Sequence, residues 1–193
     1  VPIDENHPLT GQSPYSATKI AADKIAESYY CSFGLPVATV RPFITFGPRQ
    51  SARAIIPTII SQLLSNKKKI DIGSVYPIRD FTYVKDTIKG FIKIAETDDA
   101  VGTVINIGSG KGIKIKDLFH KLCDLTNKKI SFVLDTKRVR PEKSEVKTLI
   151  CSNKKAKKIL NWKPTYSFEY ALQETIEYIE KNLIKYKTNI YNL

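Results

Sequence analysis

The chain has 193 residues, 42% hydrophobic and 26% charged, with a formal net charge of +12. That composition fits a soluble globular protein of one large domain or two small ones, and no apolar run approaches the ~20 residues of a membrane-spanning helix. Cys31, Cys123 and Cys151 are odd in number and far apart, which argues for free thiols in a cytoplasmic protein and against a disulfide framework; His7 and His120 lie near no cluster with metal-ligand spacing, so no metal is expected.

In chain order, Ser13-Pro14 opens the first element. A serine can cap a helix and proline fits its first position, so a helix is expected over 15–33, closed by Gly34. Residues 37–40 form a continuous apolar, β-branched run of buried-strand type. The stretch 43–53, punctuated by Gly47-Pro48, reads as a loop. Helical spacing covers 54–64, with Pro57 near the start, and a short strand is expected over 69–72. A strand over 81–84, an amphipathic helix over 84–96, a strand over 103–107 and a turn at Gly108-Ser109-Gly110 follow. Ile115, Leu118, Phe119, Leu122 and Leu125 predict a helix over 115–126. After a strand over 130–134, Ser152-Asn153 caps a short helix ending at Leu160, and a long helix over 167–186 closes the chain. Alternating strands and helices define an α/β class.

Lysine supplies most of the positive charge, in runs at 67–69, 128–129, 154–155 and 157–158. The runs are scattered and none is interleaved with aromatic residues, so they read as solvated helix ends and turns, and no nucleic-acid partner is expected. Met is absent, even from position 1, and the opening Val-Pro-Ile-Asp-Glu-Asn-His is polar and acidic, unlike a secretory signal. The expectation is a truncated chain that opens in a loop.

Tyr15 and Lys19 stand four apart and share a face of the first helix. Alone the pair says little, since about 1.3 such spacings are expected by chance. Its chemistry is nevertheless suggestive. An ammonium beside a phenol favours the phenolate, and such a tyrosine can take a proton from a sugar hydroxyl while hydride leaves the same carbon. Gly108-x-Gly110-x-Gly112 has Ile at 113 where a dinucleotide fingerprint needs its third glycine, so it reads as a turn at a strand end.

The context of the pair is more specific. Ser-Pro-Tyr-x-x-x-Lys opens a helix, an apolar strand ends in Arg41-Pro42, and a Gly-Pro loop follows. Further on come Arg79-Asp80-Phe81-Thr82-Tyr83-Val84-x-Asp86, Asn106-Ile107-Gly108-Ser109-Gly110, 140–146 (Arg-Pro-Glu-Lys-Ser-Glu-Val) and Lys155-Ala156-x-x-x-Leu160-x-Trp162-x-Pro164. In this order the motifs resemble the extended short-chain dehydrogenase/reductase family, in its nucleotide-sugar epimerase/dehydratase branch, and are most similar to bacterial 4,6-dehydratases.

The resemblance implies the C-terminal portion of a Rossmann-type doubly wound sheet plus a small α/β substrate-binding domain. Residues 1–50 would be a Rossmann segment, 51–80 a substrate-domain segment, 81–110 a return to the sheet and 111–193 the substrate domain. It also implies NAD as cofactor and a nucleotide-diphosphate sugar as substrate. Tyr15 would be the base, and Lys19 its partner and ribose anchor. Pro42 and Phe43 would line the nicotinamide, and Arg53, Ile55 and Ile56 would lie along the nucleotide. Arg79 and Arg140 would grip the diphosphate, for which a guanidinium fork is suited; ion pairing with Asp80 or Glu142 is the alternative reading of these arginines. Ile44 stands where the family has an Asn that reaches the substrate phosphate. The implied reaction oxidises carbon 4, removes water across carbons 5 and 6 and returns the hydride to carbon 6. A 4-epimerase, or a non-catalytic remnant or complementing subunit, are alternatives. The family's glycine-rich loop, ribose-binding acid, catalytic Ser/Thr and dehydratase Asp-Glu pair have no counterpart in this sequence, so the chain alone is expected neither to hold NAD tightly nor to turn over. In the family the helix of Tyr15 and Lys19 also helps form a homodimer.

Overall fold

The computed structural model describes residues 1–65, 67–139, 141 and 144–186. Helix α1 spans Pro14–Phe33. Its start is fixed locally: Ser13 Oγ accepts the Ser16 N–H while Ser16 Oγ accepts the Ser13 N–H, and Pro14 takes the first helical position. It ends at Gly34, which adopts φ 66° and donates its N–H to the Tyr30 carbonyl.

Among the described residues three sheets follow. Strand β1 (Thr39–Pro42) pairs in parallel with β5 (Val104–Ile107). Strand β4 (Ile78–Tyr83) organises the second sheet. Its second half runs parallel to β2 (Ile44–Phe46), and its first half pairs with antiparallel β6 (Gly112–Lys114) and parallel β8 (Thr148–Leu149). Strand β3 (Lys69–Ile72) pairs in parallel with β7 (Ser131–Leu134). The helices between them are α2 (Ile55–Leu63), α3 (Val84–Ala95), α4 (Ile115–Leu125), α5 (Lys154–Leu160) and α6 (Phe168–Lys181). Pro57 sits in the first turn of α2, where its missing N–H costs no helical bond.

Two hydrophobic cores result among the described residues. The larger gathers α2, α4 and α6 on the second and third sheets through Phe46, Ile59, Ile60, Leu118, Phe119 and Ile179. The smaller joins α3, β5 and α5 through Ile94, Ile105, Ile107, Leu160 and Trp162. Helix α1 contributes to neither: none of its 20 residues is buried. Arg41 Nε donates to Asp23 Oδ2 at 2.7 Å, and the Tyr30 ring lies against Gly102, where a Cβ would come within 2.5 Å of it. The N-terminal segment is tied down by Ile3, which exchanges bonds with the Ile150 carbonyl and the Ser152 N–H, and by Glu5, which accepts the Asn106 N–H. Among the described residues no helix is long and apolar enough to cross a membrane.

Several expectations are corrected. The first strand begins at Thr39 and runs to Pro42, because its register is set by β5. Residues 44–46, expected in a loop, are a strand held by β4. Asn153 forms no side-chain cap on α5; its Nδ2 donates to the Gly108 carbonyl. The last helix stops at Lys181, and Leu183–Tyr186 form a separate 3-10 turn.

Candidate active site

Tyr15 and Lys19 lie side by side on α1, with Lys19 Nζ 5.7 Å from the centre of the Tyr15 ring, a cation–π distance. Tyr15 is 72% exposed, so its hydroxyl is open to a ligand. The cap that fixes Ser13 and Ser16 also fixes the first turn, and with it the direction in which Tyr15 leaves the helix.

The Arg41–Asp23 pair links this helix to β1, both side chains being about three-quarters buried. β1 ends at exposed Pro42, and the Phe43 N–H donates to the Ile107 carbonyl at 2.8 Å. Ile44 pairs with Phe81 and packs partly against the larger core. The following turn needs Gly47: φ is 152°, and a Cβ would lie 2.6 Å from Val84 Cγ1. Gln50 braces the turn by donating from Nε2 to the Thr45 carbonyl. Arg53 is exposed and Ile55 half-buried. Ile56 is completely buried in the core, so only its backbone can meet a ligand.

Arg79 is mostly buried and is not paired with Asp80. Its Nη1 donates to the carbonyls of Ile78 (3.0 Å) and Val146 (2.6 Å), and its Nη2 to Glu145 Oε1 (2.6 Å). Asp80, its partner in the alternative reading, is fully buried with another task. Its carboxylate accepts the N–H groups of Ser109, Gly110 and Cys151 and the Ser109 hydroxyl. The Ser109 and Gly110 amides of the turn are therefore taken by Asp80 and are not free for a pyrophosphate. Asp86, also buried, accepts the N–H groups of Thr165 and Tyr166 and the Thr165 hydroxyl, while its carbonyl accepts Trp162 Nε1. Arg140 and Glu142 lie outside the described residues.

Sequence reasoning missed these anchors and the role of Glu145. The signal was present: all three acids sit inside the family motifs, but their partners lie 66 to 80 positions away for Glu145 and Asp86, and 29 or more for Asp80. A separate cavity of about 430 Å³ is lined by Phe46, Phe81, Tyr83, Tyr166 and Phe168 and by none of the candidate residues. Burial there raises the Tyr83 phenol above its ordinary value.

A parallel-sheet α/β frame, a capped helix presenting Tyr and Lys together, and buried acids that knit four motifs into one scaffold define a class. Residues 1–175 match the family model described as GDP-mannose 4,6 dehydratase, and the chain belongs to this family of short-chain dehydrogenase/reductase-type nucleotide-sugar epimerases and dehydratases. An uncharacterised UDP-glucose epimerase of Bacillus subtilis, YtcB, is 29% identical over 177 residues, covering 92% of this chain and 55% of that protein. A dTDP-glucose 4,6-dehydratase from Bacillus anthracis, solved in complex with NAD, superposes with a TM-score of 0.83 at 30% identity over 94% of this chain and 57% of its own. A UDP-glucuronic acid 4-epimerase from Bacillus cereus, solved with UDP-glucuronic acid and NAD, gives 0.87 at 29% identity with the same coverage. The chain spans about half the length of the curated relatives it matches, and its fold matches the C-terminal portion of these Rossmann-type structures.

Proposed function

We propose that the chain carries the proton-transfer pair and substrate-binding part of an NAD-dependent nucleotide-sugar 4,6-dehydratase. The observation that carries the reading is the exposed Tyr15–Lys19 pair on a capped helix, tied through Asp23–Arg41 to the strand that ends at Pro42, next to Phe43. Tyr15 takes the proton of the sugar 4-hydroxyl. Lys19 favours, by its positive charge, the phenolate form that accepts this proton, which leaves Tyr15 as the neutral phenol, and donates to the cofactor ribose.

The residues fit one end of NAD. Tyr15, Lys19 and Pro42 are open, and beside Phe43 they would hold the nicotinamide and its ribose. The dinucleotide phosphates find no cradle in the Gly108 turn, whose Ser109 and Gly110 amides are taken by Asp80. When bound, NAD accepts and returns a hydride. Arg53 and the α2 start, through Ile55 and the Ile56 backbone, lie along the nucleotide, Arg79 and Arg140 meet the diphosphate, and Ile44 lines the same wall.

A 4-epimerase shares the first oxidation, and the similarity to UDP-glucose and UDP-glucuronic acid 4-epimerases favours it as the second reading. The test is an assay of the chain, alone and fused to the NAD-binding half of the Bacillus anthracis dehydratase, with GDP-mannose, dTDP-glucose and UDP-glucose. The fusion forming a 4-keto-6-deoxy sugar, and losing this with Tyr15→Phe, supports the dehydratase. A 4-epimer as product transfers the assignment to the second reading, and no product from any sugar contradicts both.

A further inference from the structure

The Arg79 guanidinium is held by two independent sets of bonds. Nη1 donates to the Ile78 and Val146 carbonyls, and Lys147 O accepts the Ile78 N–H at 2.9 Å, so the segment beside β4 is fixed by backbone groups. Among the described residues Nη2 donates to Glu145 Oε1 alone, at 2.6 Å, with the two side chains 13% and 20% exposed. Among the described residues Glu145 has no other cation. A carboxylate oxygen and a phosphate oxygen present the same acceptor to a guanidinium edge.

We propose that Glu145 is an internal stand-in for a substrate phosphate: it occupies the Nη2 edge of Arg79, and a nucleoside diphosphate binds by displacing it. The inference rests on the reading of Arg79 as a diphosphate residue. Displacement needs only rotation of the Glu145 side chain, because Val146 O and Lys147 O keep the segment in place. The Nη1 bonds preserve the plane of the guanidinium, so Nε and Nη2 become available side by side. Until the carboxylate leaves, its charge opposes the incoming diphosphate. Glu145 thus sets the affinity threshold of the site.

Isothermal titration of uridine, thymidine and guanosine diphosphates into the chain selects the nucleotide that binds best. The same nucleotide is then titrated into Glu145→Gln, Arg79→Gln and the double variant, with thermal melts to establish folding. Gln keeps an acceptor for Nη2 while removing the charge. Glu145→Gln is expected to tighten Kd about tenfold, Arg79→Gln to weaken it about tenfold, and the double variant to bind as weakly as Arg79→Gln alone, since Glu145 acts through Arg79. Unchanged or weaker binding by Glu145→Gln, with Arg79→Gln weakened, overturns the role of Glu145 and leaves that of Arg79 standing. Unchanged binding by Arg79→Gln overturns the reading beneath it, and absence of binding by every variant contradicts both.

Discussion

Asp80 Oδ2 accepts the backbone N–H of Cys151 at 3.0 Å, joining two segments 71 positions apart in a fully buried contact. The same carboxylate takes three further donors from Ser109 and Gly110. Asp80→Asn turns one acceptor oxygen into a donor facing N–H groups, and each buried amide left unbonded costs roughly 1–3 kcal/mol. Urea unfolding should show a loss of about 2–3 kcal/mol; a loss below 0.5 kcal/mol, roughly that of an ordinary surface change, contradicts the anchor.

Helix α1 has a well-formed cap but no buried residue, and helical stability in proteins comes mostly from packing. Hydrogen exchange should therefore find its amides the least protected of any helix, with those of α2 and β4 the most. Asp23→Ala removes the tie to Arg41 and should speed exchange in α1 further while leaving α2 unchanged. Equal protection of α1 and α2 would sink this account.

Ile44 packs partly against the larger core, so Ile44→Asn should cost about 1–2 kcal/mol of stability through lost burial and poorer strand fit. It also supplies a polar side chain where the family places one toward the phosphate. Nucleotide-sugar affinity should rise about tenfold, in the range of one recovered hydrogen bond. A titration showing no gain refutes the assignment of Ile44 to the ligand wall.

The thiols divide by burial. Cys31 is exposed, whereas Cys123 and Cys151 are buried and burial holds both thiols above their ordinary values. A thiol reagent should titrate one cysteine in the native chain and three after unfolding. The sign of the pH effect follows from raised folded values: the stability contributed by protonated thiols is complete below about pH 8.5 and declines above it, because the unfolded chain ionises first. Replacing Cys151 by Ala should flatten the decline between about pH 8 and 10; an identical slope contradicts it.

Elements set by local chemistry were legible in the sequence. Ser13, Pro14 and Gly34 mark both ends of α1, and the apolar positions 115, 118, 119 and 122 are the buried face of α4. The short strands β2, β6 and β8 were not, since three or two residues carry no period and their pairing with β4 is long-range. At the site, the Tyr15–Lys19 juxtaposition follows from helical spacing alone. The Arg79–Glu145 pair and the duties of Asp80 and Asp86 depend on chain segments brought together only by the fold, and Ile56 lies one helical position too far inward to offer its side chain.

The most direct measurement is an amide NMR titration of the labelled chain with GDP-mannose, dTDP-glucose and UDP-glucose. The account predicts saturable shifts for at least one of them, concentrated at Phe43, Ile44, Arg53, Ile55 and Arg79 and absent from β7. Shifts confined to other surfaces, or none with any of the three, would contradict it.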